Sequence, residues 1–526
     1  MKNLTTLFLV LLVSFGLYGQ NQNISNGNIF DGEPYIIMNP NNADHLVVAW
    51  MGWAGVGNRI KIKTRVSFDG GGTWSAVVEL PHVDPSYTSA DCSMAFDSNG
   101  NLYVSYIDST GTDSSPIEGG IYLCKSDDGG LTFDAPTEVL NINADPPRIP
   151  VDRPWISIDR SQTATDGYIY ITSMNAAGAM TDYHPYLSIS TDGGNSFEWK
   201  DLDTPGWLSG NAIERPMPAP TVSESGVLHA IYPSYVVSQN ILPQYIIASS
   251  NNGGSSFAYN SVFASSTTPS NDPLPKLGYI LRSSPANSAV LAFVYPANVN
   301  ADLDIFIRLS EDAGVSWSDA IRVNDDSVGN DIMQDLVWAD FDTNGDLVVS
   351  WRDRRNGNAN TYETASEIWA AFLPAGSAAF EPNFQLTSEL VLYNNVLASA
   401  GNDFMSIQLD NGIIHATWGD PRADVLNIWY QRSLTDGTIL GLQEIAIENR
   451  VGMIAYPNPT TEIVNISLPK VKGYKLYDSA GKLVKSINNL NEPTYFEINM
   501  KRYNPGIYFV ECYDETKTYT SKIIKE

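Results

Sequence analysis

The sequence predicts an all-β chain built from repeats, and three observations carry that prediction. Five segments share one eight-residue pattern: SFDGGGTW from Ser67, SDDGGLTF from Ser126, STDGGNSF from Ser190, SNNGGSSF from Ser250 and SEDAGVSW from Ser310. Their first residues lie 59, 64, 60 and 60 positions apart, a period that marks a repeat architecture. Stretches of alternating residues end in an aromatic, at Trp50, Tyr106, Tyr232, Tyr295, Trp351 and Trp418, and period-two alternation is a strand signal. The 40 Gly and 30 Pro supply turns in number, while 43% hydrophobic and only 17% charged residues exclude a disordered chain.

Taken in chain order, residues 1–19 read as a signal peptide. Lys2 gives the positive start, Leu7 to Leu17 the apolar run, and Leu17-Tyr18-Gly19 a cleavage site with a small last residue. The run is too short to span a bilayer stably, and no other stretch reaches that length. Residues 20–450 hold the repeats, and residues 451–526 differ in charge. The latter carry ten Lys+Arg and eight Asp+Glu, whereas the body is acidic enough to bring the whole chain to −28. That balance argues against nucleic acid or an anionic membrane surface as partner, because long-range repulsion opposes both. Cys92, Cys124 and Cys512 form no disulfide framework. The repeat places Cys92 and Cys124 two strands apart in one sheet, roughly 9–10 Å and beyond disulfide reach, so all three read as free and buried.

Each eight-residue segment reads as a hairpin turn. The Asp carboxylate folds onto backbone N–H groups, a Gly takes positive φ, and the aromatic pins the turn to its own sheet. A second turn recurs between the first two strands of a unit, at Asp97-Ser98-Asn99-Gly100, Asp342-Thr343-Asn344-Gly345 and Asp410-Asn411-Gly412. In one copy Asp340, Asp342, Asn344 and Asp346 have the spacing that opens a calcium loop, but Trp351 stands where such a loop needs Glu. No other cofactor or metal is expected.

The five segments strongly resemble the Asp-box (BNR) repeat of sialidase-like β-propellers. The resemblance implies a propeller in which the boxes lie between the third and fourth strands of each blade, away from the active face, so their aspartates are structural. Two further units around Trp351 and Trp418 lack a box. Counting them gives seven blades, against six in typical sialidases, with Asn23–Phe30 as the outer strand that closes the ring.

In such a propeller the inner-strand starts and the loops after strand two share one face. The starts are Glu33-Pro34, Asp91-Cys92, Asp152-Arg153, Glu214-Arg215, Gln334-Asp335 and Asn402-Asp403. These acids either cap the channel or form a ligand site with cationic anchors. The candidate ligand residues are Arg153, Arg215, Arg354, Arg422, Asp335, Asp403, Trp53 and Tyr235, since exposed rings stack on sugar faces and Arg forks grip carboxylates. The loops after strand two contribute aromatics, and the shared Trp-x-Asp-x-Arg at Trp351 and Trp418 suggests a local Asp–Arg pair. Sialidase chemistry needs three arginines, a Tyr nucleophile with its Glu, and an Asp acid/base. The family's Arg-Ile-Pro motif is missing from the first blade, where the chain reads Gly32-Glu33-Pro34-Tyr35. A different triad of Arg153, Arg215 and Arg354 or Arg422 with Asp91 or Asp152 as acid/base is one reading. Binding of an extracellular glycan or glycoprotein without catalysis is the other.

The last segment resembles the type A sorting domain of the type IX secretion system of Bacteroidetes. The Pro457-Asn458-Pro459 start, the Tyr-Asp-x-x-Gly-Lys turn, the Gly506 to Tyr508 step and the Lys-rich end carry that resemblance. It implies a small immunoglobulin-like β-sandwich, passage through the periplasm, engagement of the type IX machinery, and release or surface attachment.

Overall fold

The computed structural model describes residues 21–55, 59–112, 115–176, 182–210, 216–236, 244–264, 278–299, 302–357, 364–391, 402–423, 425–440, 454–456, 458–467, 471–478, 482–488, 495–513 and 518–525. Residues 1–20, on which the signal-peptide reading falls, and Glu214, Arg215 and Pro457 lie outside them. The chain divides into two units, Gln20–Ile439 and Leu440–Glu526 with the leader. Among the described residues there are only strands and turns, and no helix long and apolar enough to cross a membrane.

The larger unit is a ring of seven four-stranded antiparallel sheets, a β-propeller. Six sheets take four strands in sequence order, beginning at Asp31–Asn39, Thr88–Phe96, Trp155–Ile158, Ala219–Val222, Ile280–Ser283 and Gln334–Phe341. The seventh is made of Ser406–Asp410, Ile413–Asp420 and Asn427–Leu434, completed on its outer side by Gln22–Asn23 from the other end of the chain. Phe30 adds a parallel bridge to Leu426. The first strand of each sheet lies beside the first strand of the next, and that of the seventh beside that of the first. The inner strand edges therefore meet around the channel, and the outer edges fall on the fourth strands. Strand two of each sheet is buried on both faces: Val47, Val104, Ile171, Ala230, Phe293, Val349 and Ala416 are all about 1% exposed or less.

The five eight-residue turns follow strand three and repeat one hydrogen-bond set. In the first, Ser67 Oγ donates to Asp69 Oδ1 at 2.8 Å and accepts from Gly71 N at 2.8 Å. Thr73 then donates to Asp69 through its N and its hydroxyl, at 2.8 and 2.7 Å. The turns at Asp128, Asp192, Asn252 and Asp312 repeat the arrangement. The expected anchoring to the same sheet is only part of the picture. Trp74 packs edge-on against Tyr430 of the preceding, seventh sheet, with ring centroids 5.1 Å apart. Carbonyls of these turns also accept hydrogen bonds from the preceding sheet, Gly70 O from Tyr430 Oη at 3.3 Å and Gly254 O from Lys200 Nζ at 2.7 Å. Each such turn is thus a latch between sheets.

The glycines of the latch are doubly constrained. Gly254 has φ +80°, and a Cβ there would lie 2.5 Å from Ile189 Cδ1 of the sheet before it. Gly254→Ala is expected to lose roughly 1 kcal/mol to the left-handed backbone and about 1–3 kcal/mol to overpacking. Denaturant titration reads the loss, and a shift under 0.5 kcal/mol (about the additivity error of such values) would refute the latch.

The smaller unit holds two sheets. One pairs Ile454–Tyr456, Ile463–Ser467 and Tyr495–Asn499; the other orders Leu483–Asn488, Gly473–Asp478, Gly506–Tyr513 and Thr518–Lys525. Val464, Ile466, Leu476, Ile498, Val510 and Ile523 form its core. Asn458 stitches the last strand in place: its Nδ2 donates to Lys522 O at 2.6 Å and its Oδ1 accepts from Ile524 N at 2.7 Å. Gly506 opens a core strand, and Tyr508 Oη donates to Asn504 O at 2.9 Å.

Candidate functional site at the channel mouth

Strand one of each sheet begins on one face of the ring, and its entry is bulged. Register shifts at Gly32/Tyr35, Ala90/Cys92 and Asp335/Trp338 mark three entries. Glu33 (φ 56°), Asp91 (φ 39°), Arg153 (φ 50°) and Leu336 (φ 54°) occupy the left-handed region there. Each such non-glycine residue stores about 1–3 kcal/mol of strain, and strain of that kind collects at functional sites. The bulge turns three of these side chains toward one place.

That place is a cluster from four sheets. Arg153 Nη2 binds Asp403 Oδ2 at 2.8 Å, while Arg153 N donates to Asp91 Oδ2 at 3.3 Å. Glu33 N donates to Asn402 Oδ1 at 3.3 Å, and Glu33 Oε1 accepts from Asp403 N at 3.4 Å. Arg153 and Glu33 are buried, at 5% and 3% exposure, whereas the Asp403 side chain remains 34% exposed. Burial opposes the Arg153 charge, but Asp91, Asp403, Asp152 and Glu33 outweigh it and raise its pKa. Burial, then the charges of Asp91 and Asp403, push the Glu33 carboxyl well above the usual range. Burial and the neighbouring aspartates thus favour the protonated form of Glu33. Below the cluster the channel is closed by Tyr35, Trp155, Trp338 and Phe404, with ring centroids 5.1–6.1 Å apart.

The other anticipated cations stand elsewhere. Arg354 is fully buried and grips Asp335 through Nη1 and Nη2, at 3.1 and 3.2 Å, and Arg352 clamps the same carboxylate from its other side. Burial raises the Asp335 pKa, but the two guanidiniums more than reverse this and hold it low. Arg422 is bound to Asp420 at 2.6 Å, to Asn21 at 2.8 Å and to Glu389 at 3.4 Å. Arg153 and Arg354 thus engage separate carboxylates, and Arg215 lies outside the described residues.

The Trp-x-Asp-x-Arg strings form the local pair expected of them. Trp351 Nε1 donates to Asp353 at 2.7 Å and Trp418 Nε1 to Asp420 at 2.8 Å, while Arg355 and Arg422 close each loop. This corrects the expectation of exposed aromatics. Trp50, Tyr106, Tyr232, Trp351 and Trp418 are at most 2% exposed, because their polar atoms find internal partners and the rings join the core. Trp53 and Tyr235 remain half-buried at the ends of the second strands. Asp152 sits next to Arg153 and contributes to its field.

The calcium-type residues do not converge. Asp342 caps its own turn, accepting from Asn344 N and Asp346 N at 2.9 and 3.0 Å, Asp346 accepts from Ala375 N, and Asp340 faces Arg282 inside the channel. Among the described residues no group of three His, Cys, Asp or Glu is placed to hold a metal ion. The three cysteines are free and buried.

His184, just before the third strand of the third sheet, braces its loop. Its Nδ1 lies 2.8 Å from Asp203 Oδ1, and that hydrogen bond raises its pKa above 6.5 against the effect of burial. A raised histidine contributes stability that is complete below pH 6.5 and lost as pH rises through the folded-state value. The melting-temperature deficit of His184→Gln is expected to be largest in acid and to shrink above neutrality. A deficit independent of pH would refute the pairing.

Residues 454–526 match the model of the secretion system C-terminal sorting domain. That domain marks proteins exported by type IX secretion to the cell surface or the extracellular space. No curated protein matches the sequence. Among solved structures, the chain is similar to a protein of unknown function from Dyadobacter fermentans, at 15% identity over 67% of this chain and 98% of that one, with a TM-score of 0.42. It is similar to the α-L-arabinanase of Penicillium chrysogenum complexed with arabinobiose, at 15% identity over 66% and 96%, TM-score 0.43. It is also similar to the phage phi92 endosialidase, at 12% identity over 96% and 87%, TM-score 0.45.

Proposed function

We propose that this exported propeller binds a neutral or amine-bearing extracellular glycan, free or on a glycoprotein, at the channel mouth. The observation that carries this reading is the meeting of Glu33, Asp91, Arg153 and Asp403 from four sheets. Among the described residues carboxyl groups outnumber guanidiniums there, and Arg153 is already paired. A sialic acid or uronate would bring a further anion to an acidic mouth, whereas sugar hydroxyls or an ammonium find acceptors.

A second reading is supported by Glu33. A carboxyl that keeps its proton beside a carboxylate is what a general acid needs, with Asp91 or Asp152 as the partner group in glycoside hydrolysis. The test is a glycan array and a panel of reporter glycosides, each run with the full-length protein and with Asp403→Asn. Retention of neutral or amino-sugar glycans, weakened about tenfold in the variant, is expected. Preferential retention of sialylated glycans would overturn the charge argument. Reporter turnover that disappears in Glu33→Gln would replace the binding reading by the hydrolytic one.

A further inference from the structure

A second polar cavity lies in the channel on the far side of the aromatic plug. It has a volume of about 190 Å³ and is lined by the strand-one segments of all seven sheets. Strand one runs away from the mouth and strand three runs the same way, so this cavity opens toward the face that carries the latch turns. For scale, a 150 Å³ protein cavity admits benzene, and 190 Å³ equals about six waters in the liquid.

Its lining is two-sided. One wall is charged and prearranged. Arg282 donates through Nε to Ala339 O at 2.9 Å and through Nη1 to Leu281 O at 3.2 Å, and its guanidinium lies 5.2 Å over the Trp338 ring. Asp340 stands 4.0 Å from Arg282 and accepts from Leu409 N at 3.0 Å. Arg160 and Glu224 are exposed at the outer rim. The remaining lining mixes apolar Met94, Ile158, Val222 and Phe341 with Ser157, Thr221, Ser283 and Gln408.

The lining carries two cations and two acids, so an ion of either sign would enter with one like-charged pair to face. A ligand carrying both charges meets both. We propose that this lower channel is a second binding site, for a small zwitterion: an amino acid with an apolar side chain, its carboxylate on Arg282 and Arg160 and its ammonium on Asp340 and Glu224. The apolar body then lies against Val222, whose side chain is half-buried, and beside the buried Met94, Ile158 and Phe341. Burial drives the Asp340 carboxyl up to about 6 against the pull of Arg282, and a bound ammonium relieves that penalty. The plug makes this site separate from the mouth, so the inference does not rest on the glycan reading.

The test is calorimetric titration of the full-length protein with L-leucine, isovalerate and isoamylamine. Saturable leucine binding is expected, at least about tenfold tighter than either single-charge analogue. Val222→Trp, which fills the cavity from a half-buried position, is expected to abolish it, and the exposed Arg160→Ala to weaken it about tenfold. Thermal unfolding confirms that each variant is folded. Absence of saturable leucine heat, equal binding of isovalerate, or leucine binding unchanged in a folded Val222→Trp would each overturn the proposal.

Discussion

Replacing Asp335 with alanine is expected to destabilise the propeller by about 3–5 kcal/mol, the range for removing one partner of a buried ion pair. Arg354 is fully buried and the Arg352 side chain is 2% exposed, and both grip this carboxylate. Without it two buried guanidiniums face each other where only the Asp335 edge of the site reaches water. The loss comes from the stranded charges more than from the bonds removed. Arg352→Met and Arg354→Met added to Asp335→Ala should therefore recover part of the stability, because an apolar replacement of a whole buried ion cluster is often neutral. Denaturant titration of the four variants is the measurement. A single-variant loss under about 1 kcal/mol, the size of a surface pair, would show that the carboxylate does not neutralise these arginines.

Much of the fold could be read from the sequence because its signals are local. The Ser, Asp or Asn, Gly and Ser or Thr of each latch bond to one another within eight residues, and the period of about 60 counts the sheets that carry them. Closure of the ring from the N-terminal side was expected of Asn23–Phe30, whereas the strand that completes the last sheet is Gln22–Asn23 and Phe30 adds a single bridge. The mouth was harder. Asp91, Arg153 and Asp403 were visible as charged strand starts, but which of them meet depends on ring closure and on left-handed entries at Glu33, Asp91 and Arg153. Glu33 was present in the pattern of starts without standing out, since its raised pKa exists only once burial and two neighbouring aspartates are in place. Arg354 reads as a free anchor because a sequence does not reveal that Asp335 holds it, whereas the pairing of Arg422 with Asp420 is legible in the Trp-x-Asp-x-Arg string. The box aromatic misled for the same reason: Trp74 looks local, yet its partner Tyr430 comes from the last sheet.

Arg153→Met should be the most informative change at the mouth, with an expected loss of about 3–5 kcal/mol near neutrality. Methionine keeps much of the apolar stem that packs toward Phe404, whose ring lies 5.9 Å from the guanidinium carbon. What disappears is the cation on which Glu33, Asp91, Asp152 and Asp403 act. The sign of the pH dependence follows from Glu33. Its folded-state pKa is raised, so its contribution to stability is complete below 4.5 and is lost as pH rises through the folded value. Removing Arg153 takes away the group that lowers this value, so more of the cluster must be protonated to remain buried. The deficit of Arg153→Met is therefore expected to be largest at about pH 8 and smallest at about pH 5. In Glu33→Gln the carboxyl that has to stay protonated is gone, and Arg153→Met on that background should lose less than on the parent. Denaturation at both pH values reads these differences. A deficit that grows toward acid would mean that Arg153 is not the counter-ion of this cluster, and the mouth would then have to be rebuilt around another charge.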